Sequence, residues 1–192
     1  MVTLYLVDTF CVNLDFMKFL IPLALTFVSC AQFKKIELNL NNRKVEIKSD
    51  VENNYKLTQS YFDEIQFFFQ SENNLQFLKK LKKINISHKN CRSDQYACTF
   101  RKSNPETVFL NENFYNLSFL ERISTLIHEL HHLNRETIHK NCTINGKPNE
   151  CDDKLDSPYG MELRFLEYIY RTKKYPISEV RKLLIRINKH MI

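Results

Sequence analysis

Two glycines, Gly146 and Gly160, serve a chain of 192 residues, and that scarcity closes off more folds than any motif in it opens. Neither common glycine-rich phosphate loop, GxGxxG or GxxxxGK[ST], can be written with them, so enzymes built on such loops are not expected. With 43% hydrophobic and 26% charged residues, the chain suits one globular domain with a sizeable core rather than a disordered tail. No apolar stretch approaches the roughly 20 residues of a membrane span.

Hydrophobic spacing alternates between two periods along the chain. Ile36, Leu38 and Leu40, then Val45 and Ile47, recur every second residue around Asn41-Asn42, which predicts a β-hairpin. Residues 58–70 switch to helical spacing through Tyr61, Ile65, Phe68 and Phe69, and Leu75, Leu78 and Leu81 predict a second helix over 74–83. Short strands are expected at 84–87, 96–100 and 107–110. Ser118 with Glu121 three residues on is a capping box, opening an apolar run through Leu120, Ile123, Ile127 and Leu130. Residues 134–157 read as a polar loop, Pro158 opens a helix over 158–172, and Ser178 caps a last one to about residue 190. The expected class is α+β.

The first residues address the chain elsewhere. From Met17, one lysine, about ten apolar residues and then Val28-Ser29-Cys30 follow the layout of a secretory signal peptide. The Val28-Ser29-Cys30 end resembles a bacterial lipobox, which makes Cys30 the expected lipidation site. Residues before Met17 carry Asp8 and Asp15 and no positive charge, so translation is expected to start at Met17. Residues 1–29 are then an upstream extension plus signal, and 30–192 the functional domain. Cysteine usage agrees: setting aside Cys11 and Cys30 leaves the local pairs Cys91/Cys98 and Cys142/Cys151, expected as disulfides in an oxidising compartment. The formal charge of +6 includes a lysine cluster at Lys79, Lys80, Lys82 and Lys83. No stacking aromatics accompany it, so nucleic acid is not an expected partner. A lipid-anchored chain would meet the membrane surface through Cys30.

The chemistry sits on the capped helix, where residues 128–132 read HExxH. His128 and His132 are four apart, so a helix places both imidazoles on one face, within reach of one Zn²⁺. Glu129 follows the first ligand, where a carboxylate can take a proton from a metal-activated water. His131 reads as a surface residue or a group behind the ligands. A catalytic zinc needs a third protein ligand and one open position, and Asp156, His139 and Glu162 are the candidates.

With HExxH upstream, Asp156-Ser157-Pro158-Tyr159-Gly160 resembles the second signature, GTxDxxYG, of the aspzincin (deuterolysin-like) metallopeptidases. That resemblance implies Asp156 as third zinc ligand, Tyr159 as donor to the charged oxygen of the transition state, and Gly160 as the residue permitting the turn. Asp153-Lys154 stand where the family has Gly-Thr, so the DxxYG half alone is kept, and the similarity spans residues 128–160. The wider pattern, His139-x-x-Cys142 after the HExxH helix, then Cys151-Asp152 and DxxYG, is also similar to uncharacterised exported bacterial HExxH proteins, a resemblance that implies the intermediate histidine as the ligand instead. His139 stands as the alternative third ligand; Glu162 would be the gluzincin choice.

The expectation is a single zincin-like α+β domain with an HExxH active-site helix, a small antiparallel sheet and C-terminal helices. Its function would be that of a cell-envelope lipoprotein and zinc metallopeptidase acting on a peptide or protein substrate. Zn²⁺ is the cofactor, with Glu129 and Tyr159 as catalytic residues. The alternative is a non-catalytic, zinc-stabilised surface lipoprotein, whose closed site would use both His139 and Asp156.

Overall fold

A computed structural model describes residues 34–49, 59–87, 91–134, 139–144 and 146–191. The signal-like segment, the Met17 start and Cys30 lie outside the described residues. The chain opens with β1 (Lys34–Leu40) and β2 (Arg43–Ser49), joined through Asn41 and Asn42 at φ 49° and 59°. Asparagine tolerates the left-handed region, so this two-residue turn needs no glycine. Helix α1 (Gln59–Ser71) crosses to β3 (Lys83–Ile86), and β4 (Ala97–Thr99) and β5 (Thr107–Leu110) complete a five-stranded sheet of order β1-β2-β3-β5-β4.

The α+β class stands, but the sheet is mixed rather than antiparallel. β2 with β3 and β3 with β5 run parallel, while the two outer pairs run antiparallel. The helical crossover between β2 and β3 accounts for the first parallel pair, because parallel neighbours need such a connection. Ile47, Ile84 and Val108 share one row across the sheet, all fully buried, and Ile86 and Leu110 continue the inward face.

Helix α2 (Phe119–Asn134) packs between the β4–β5 side of this sheet and α3 (Pro158–Thr172), and α4 (Ile177–Asn188) lies against α3. Its start is the expected capping box: Ser118 N–H donates to Glu121 Oε2 at 2.9 Å, and Glu121 N–H to Ser118 Oγ at 3.4 Å. Arg122 locks that turn by donating to the Leu117 and Tyr115 carbonyls and the Tyr61 hydroxyl. Phe68, Phe69, Phe77 and Phe165 fill the core in edge and stacked contacts.

Three sequence expectations change. The helix predicted over 74–83 is one 3₁₀ turn, Leu75–Leu78, because leucines three apart match the 3₁₀ period. The chain then extends into β3, with Lys82 and Lys83 N–H donating to Glu106 O. Within the expected loop 134–157, β6 (Lys140–Ile144) and β7 (Lys147–Cys151) form a separate antiparallel hairpin. None of its β6 residues is buried, so no buried face marked it in the sequence. Finally, α4 begins after Pro176 with no side-chain cap, one residue before Ser178. Among the described residues no helix is long and apolar enough to cross a membrane.

Candidate metal centre

Helix α2 is buried nearly all round, and its third and fourth turns carry the HExxH residues. His128 and His132 project from one face, as their spacing requires, with Nε2 atoms 3.2 Å apart. His139, just before β6, brings its Nε2 to 2.9 Å from that of His132. The three ligand nitrogens all lie within 4.8 Å of one another.

Carboxylates stand behind two of these rings. His128 Nδ1 meets Glu162 Oε1 at 2.8 Å and His139 Nδ1 meets Asp152 Oδ1 at 2.9 Å. A carboxylate accepts only, so each Nδ1 carries the proton and each Nε2 presents a lone pair inward. Lone pairs converging this closely suit a shared cation. Imidazole nitrogens about 2.0–2.1 Å from a tetrahedral metal stand about 3.3 Å from each other, close to the spacing here. The donor set therefore fits a divalent transition metal held by three protein ligands.

Burial tunes these groups. It holds His128 below the ordinary histidine value against the pull of Glu162, and drives His132 down to about 2, helped by the neighbouring histidines. Both rings are thus neutral, the form that binds metal. Burial alone would raise Glu162, but the Arg186 guanidinium and His128 outweigh it and hold that carboxyl at about 2. Ser124 Oγ donates to Glu162 at 2.5 Å, and Arg186, also bonded to Thr125 Oγ1, reaches the same oxygen. Burial likewise opposes Asp152 ionisation, but the His139 ring and Tyr159 N–H hold it below the usual carboxylate value.

Glu129 is 6% exposed, and burial raises it to about 8 despite a hydrogen bond from Thr99 on the edge strand β4. It lines a cavity of about 360 Å³ with His128, Tyr159 and His190. The Tyr159 ring stands 4.6 Å from that of His128 and stacks on His190 at 4.4 Å. Burial raises its phenol, which keeps the hydroxyl a donor. Gly160 follows because a Cβ there would lie 2.4 Å from Leu155 O and 2.5 Å from Lys154 O, so the close turn before α3 needs glycine.

The structure thus gathers His139, not Asp156, beside the two helix histidines. The Asp156 side chain is 57% exposed, and its Oδ1 lies 3.9 Å from His131 Nε2, on another face of α2. His131 is itself fully buried and stacks on Phe77 at 5.5 Å, so it is a core residue rather than a surface one. Glu162, weighed from the sequence as a ligand, stands behind His128 instead. In the sequence Asp152 appears in the Cys-Asp step at 151–152, with no role at the metal assigned to it. Its only signal was its place beside a cysteine that closes the loop carrying His139.

Both expected disulfides form, Cys91–Cys98 and Cys142–Cys151, with Cα atoms 5.7 and 5.8 Å apart. The second spans the hairpin between His139 and Asp152. The three-histidine cluster and the adjacent buried glutamate have the composition of a catalytic metal site of the kind zinc can occupy. Comparison with known protein families, curated proteins and solved structures returns no match.

Proposed function

We propose that this chain is an exported, lipid-anchored zinc peptidase in which His128, His132 and His139 hold the ion and Glu129 moves the proton. The observation that carries this reading is the convergence of three imidazoles, one of which, His128, lines a cavity together with the buried Glu129. When bound there, Zn²⁺ supplies a Lewis acid for the scissile carbonyl and acidifies water toward a pKa of about 7. Glu129 takes the proton of the attacking water and delivers it to the amine nitrogen as the C–N bond breaks. Glu129 would ionise more readily with a cation held by the neighbouring histidines, which favours the carboxylate a base requires. Tyr159 is the nearby hydroxyl able to donate to the carbonyl oxygen as it gains charge.

Two disulfides support a destination in an oxidising compartment, as do the signal-like residues 17–29 and the lipobox cysteine Cys30. The non-catalytic alternative needs a closed four-ligand set, and the described residues gather three. The test is a mixed peptide library digested by zinc-loaded wild type and Glu129→Ala, with products read by mass spectrometry. We expect cleavage by the wild type, and a loss of about 10²–10⁴-fold in the variant while zinc stays bound. Equal cleavage by both would contradict the reading.

A further inference from the structure

His139 is the ligand least supported by its own backbone. It precedes β6 and belongs to no helix or strand, whereas α2 carries His128 and His132. One carboxylate places its ring: His139 Nδ1 donates to Asp152 Oδ1 at 2.9 Å. Asp152 is 5% exposed and directly follows Cys151, the second cysteine of the hairpin disulfide. Its other oxygen accepts Tyr159 N–H at 3.0 Å, and its own N–H donates to the His190 carbonyl at 2.8 Å. One residue thereby meets the third histidine, the first turn of α3 and His190, just past the end of α4.

We propose that Asp152 is the positioning residue of the metal centre, orienting His139 toward the two helix histidines and tying that orientation to Tyr159. The proposal rests on the metal-site reading above, and it is tested by metal binding rather than by hydrolysis. A carboxylate accepting Nδ1–H fixes the tautomer with the Nε2 lone pair inward and raises the basicity of the ligand. Glu162 does this for His128, but the helix already fixes where that ring stands. His139 has no such backbone support, and the neighbouring carboxylates are directed elsewhere: Asp153 pairs with Lys140, and Asp156 lies beside His131.

The experiment measures Zn²⁺ affinity by competition with a chromophoric chelator, and the visible spectrum of the Co²⁺-loaded protein, for wild type and Asp152→Asn. The amide keeps the size of the side chain but loses its charge and one of its two acceptor oxygens. We expect Zn²⁺ affinity to fall about 10–100-fold. The Co²⁺ band should weaken as His139 leaves the coordination sphere, and the metal-free protein should keep a cooperative melting transition. Asp156→Asn should bind Zn²⁺ as the wild type does. Wild-type affinity and spectrum in Asp152→Asn would overturn the proposal. Should that variant not fold, Asp152→Ser takes its place: the stated loss supports the proposal and wild-type affinity overturns it. A wild type that binds no Zn²⁺ overturns both this proposal and the proposed function. A wild type and variant that bind equally well overturn this one alone.

Discussion

The two halves of the metal site are built in opposite ways. His128 and His132 stand on a helix packed between a sheet and another helix, and Glu162 reaches His128 from that second helix. His139 and Asp152 flank a hairpin that, among the described residues, pairs with no other strand and is held by one disulfide, an ion pair from Arg92 to Glu150 and hydrogen bonds to His190. His190 supplies two of those bonds: its carbonyl accepts from Asp152 N–H, and its Nδ1 donates to Glu150 O at 2.9 Å. The helix half therefore takes its geometry from the core. The hairpin half takes it from a few specific links, and losing one link can displace a ligand without disturbing the core.

The disulfides offer the strongest way to break this comparison. In the chain-entropy view, each short loop they close contributes about 2–3 kcal/mol, so Cys91→Ser/Cys98→Ser and Cys142→Ser/Cys151→Ser should lower stability by similar amounts. Zinc affinity should separate them: only the second pair spans the hairpin, so only its loss should weaken binding. Denaturant melts with chelator competition would read both effects, and equal zinc affinities would remove the distinction between the halves.

Gly160→Ala probes the junction between them. Its new Cβ would collide with backbone oxygens of Leu155 and Lys154, forcing the first turn of α3 to shift. We expect a stability loss of about 1–3 kcal/mol by thermal melting. Zinc affinity should fall with it, because the adjacent Tyr159 N–H anchors Asp152. Intact zinc binding in a destabilised variant would show that this anchor does not matter.

A smaller effect belongs to pH. Burial depresses His132, so below the unfolded value of about 6.5 the unfolded chain binds a proton the folded chain refuses. That contribution to stability is present above the unfolded value and is lost as pH falls. Metal-free wild type should lose more melting temperature between pH 7 and pH 5 than metal-free His132→Ala. Parallel profiles would contradict the burial argument.

Legibility in the sequence follows the same division. Helix α2 could be read from Ser118 and Glu121 at its cap, from apolar residues at helical spacing, and from two histidines one turn apart, all of which are local signals. The 158–172 helix was legible for the same reason. The mixed sheet was not, because strand order depends on which segments meet across the core. The hairpin was hidden because β6 lacks a buried alternating face and β7 runs through Pro148. The third ligand was the hardest to choose: Asp156 sits in a motif-like setting, but the turn before α3 leaves its side chain exposed near His131. His139 had the right chemistry, and Asp152 had a neighbouring disulfide, but only the closed hairpin brings the two together.

The most direct test of the account is zinc content by mass spectrometry after dialysis against a mild chelator, for wild type, His139→Ala and Asp156→Ala. The account predicts one zinc per chain in the wild type and in Asp156→Ala, and its loss in His139→Ala. Zinc retained by His139→Ala but lost from Asp156→Ala would contradict it, and would return the third ligand to the DxxYG turn.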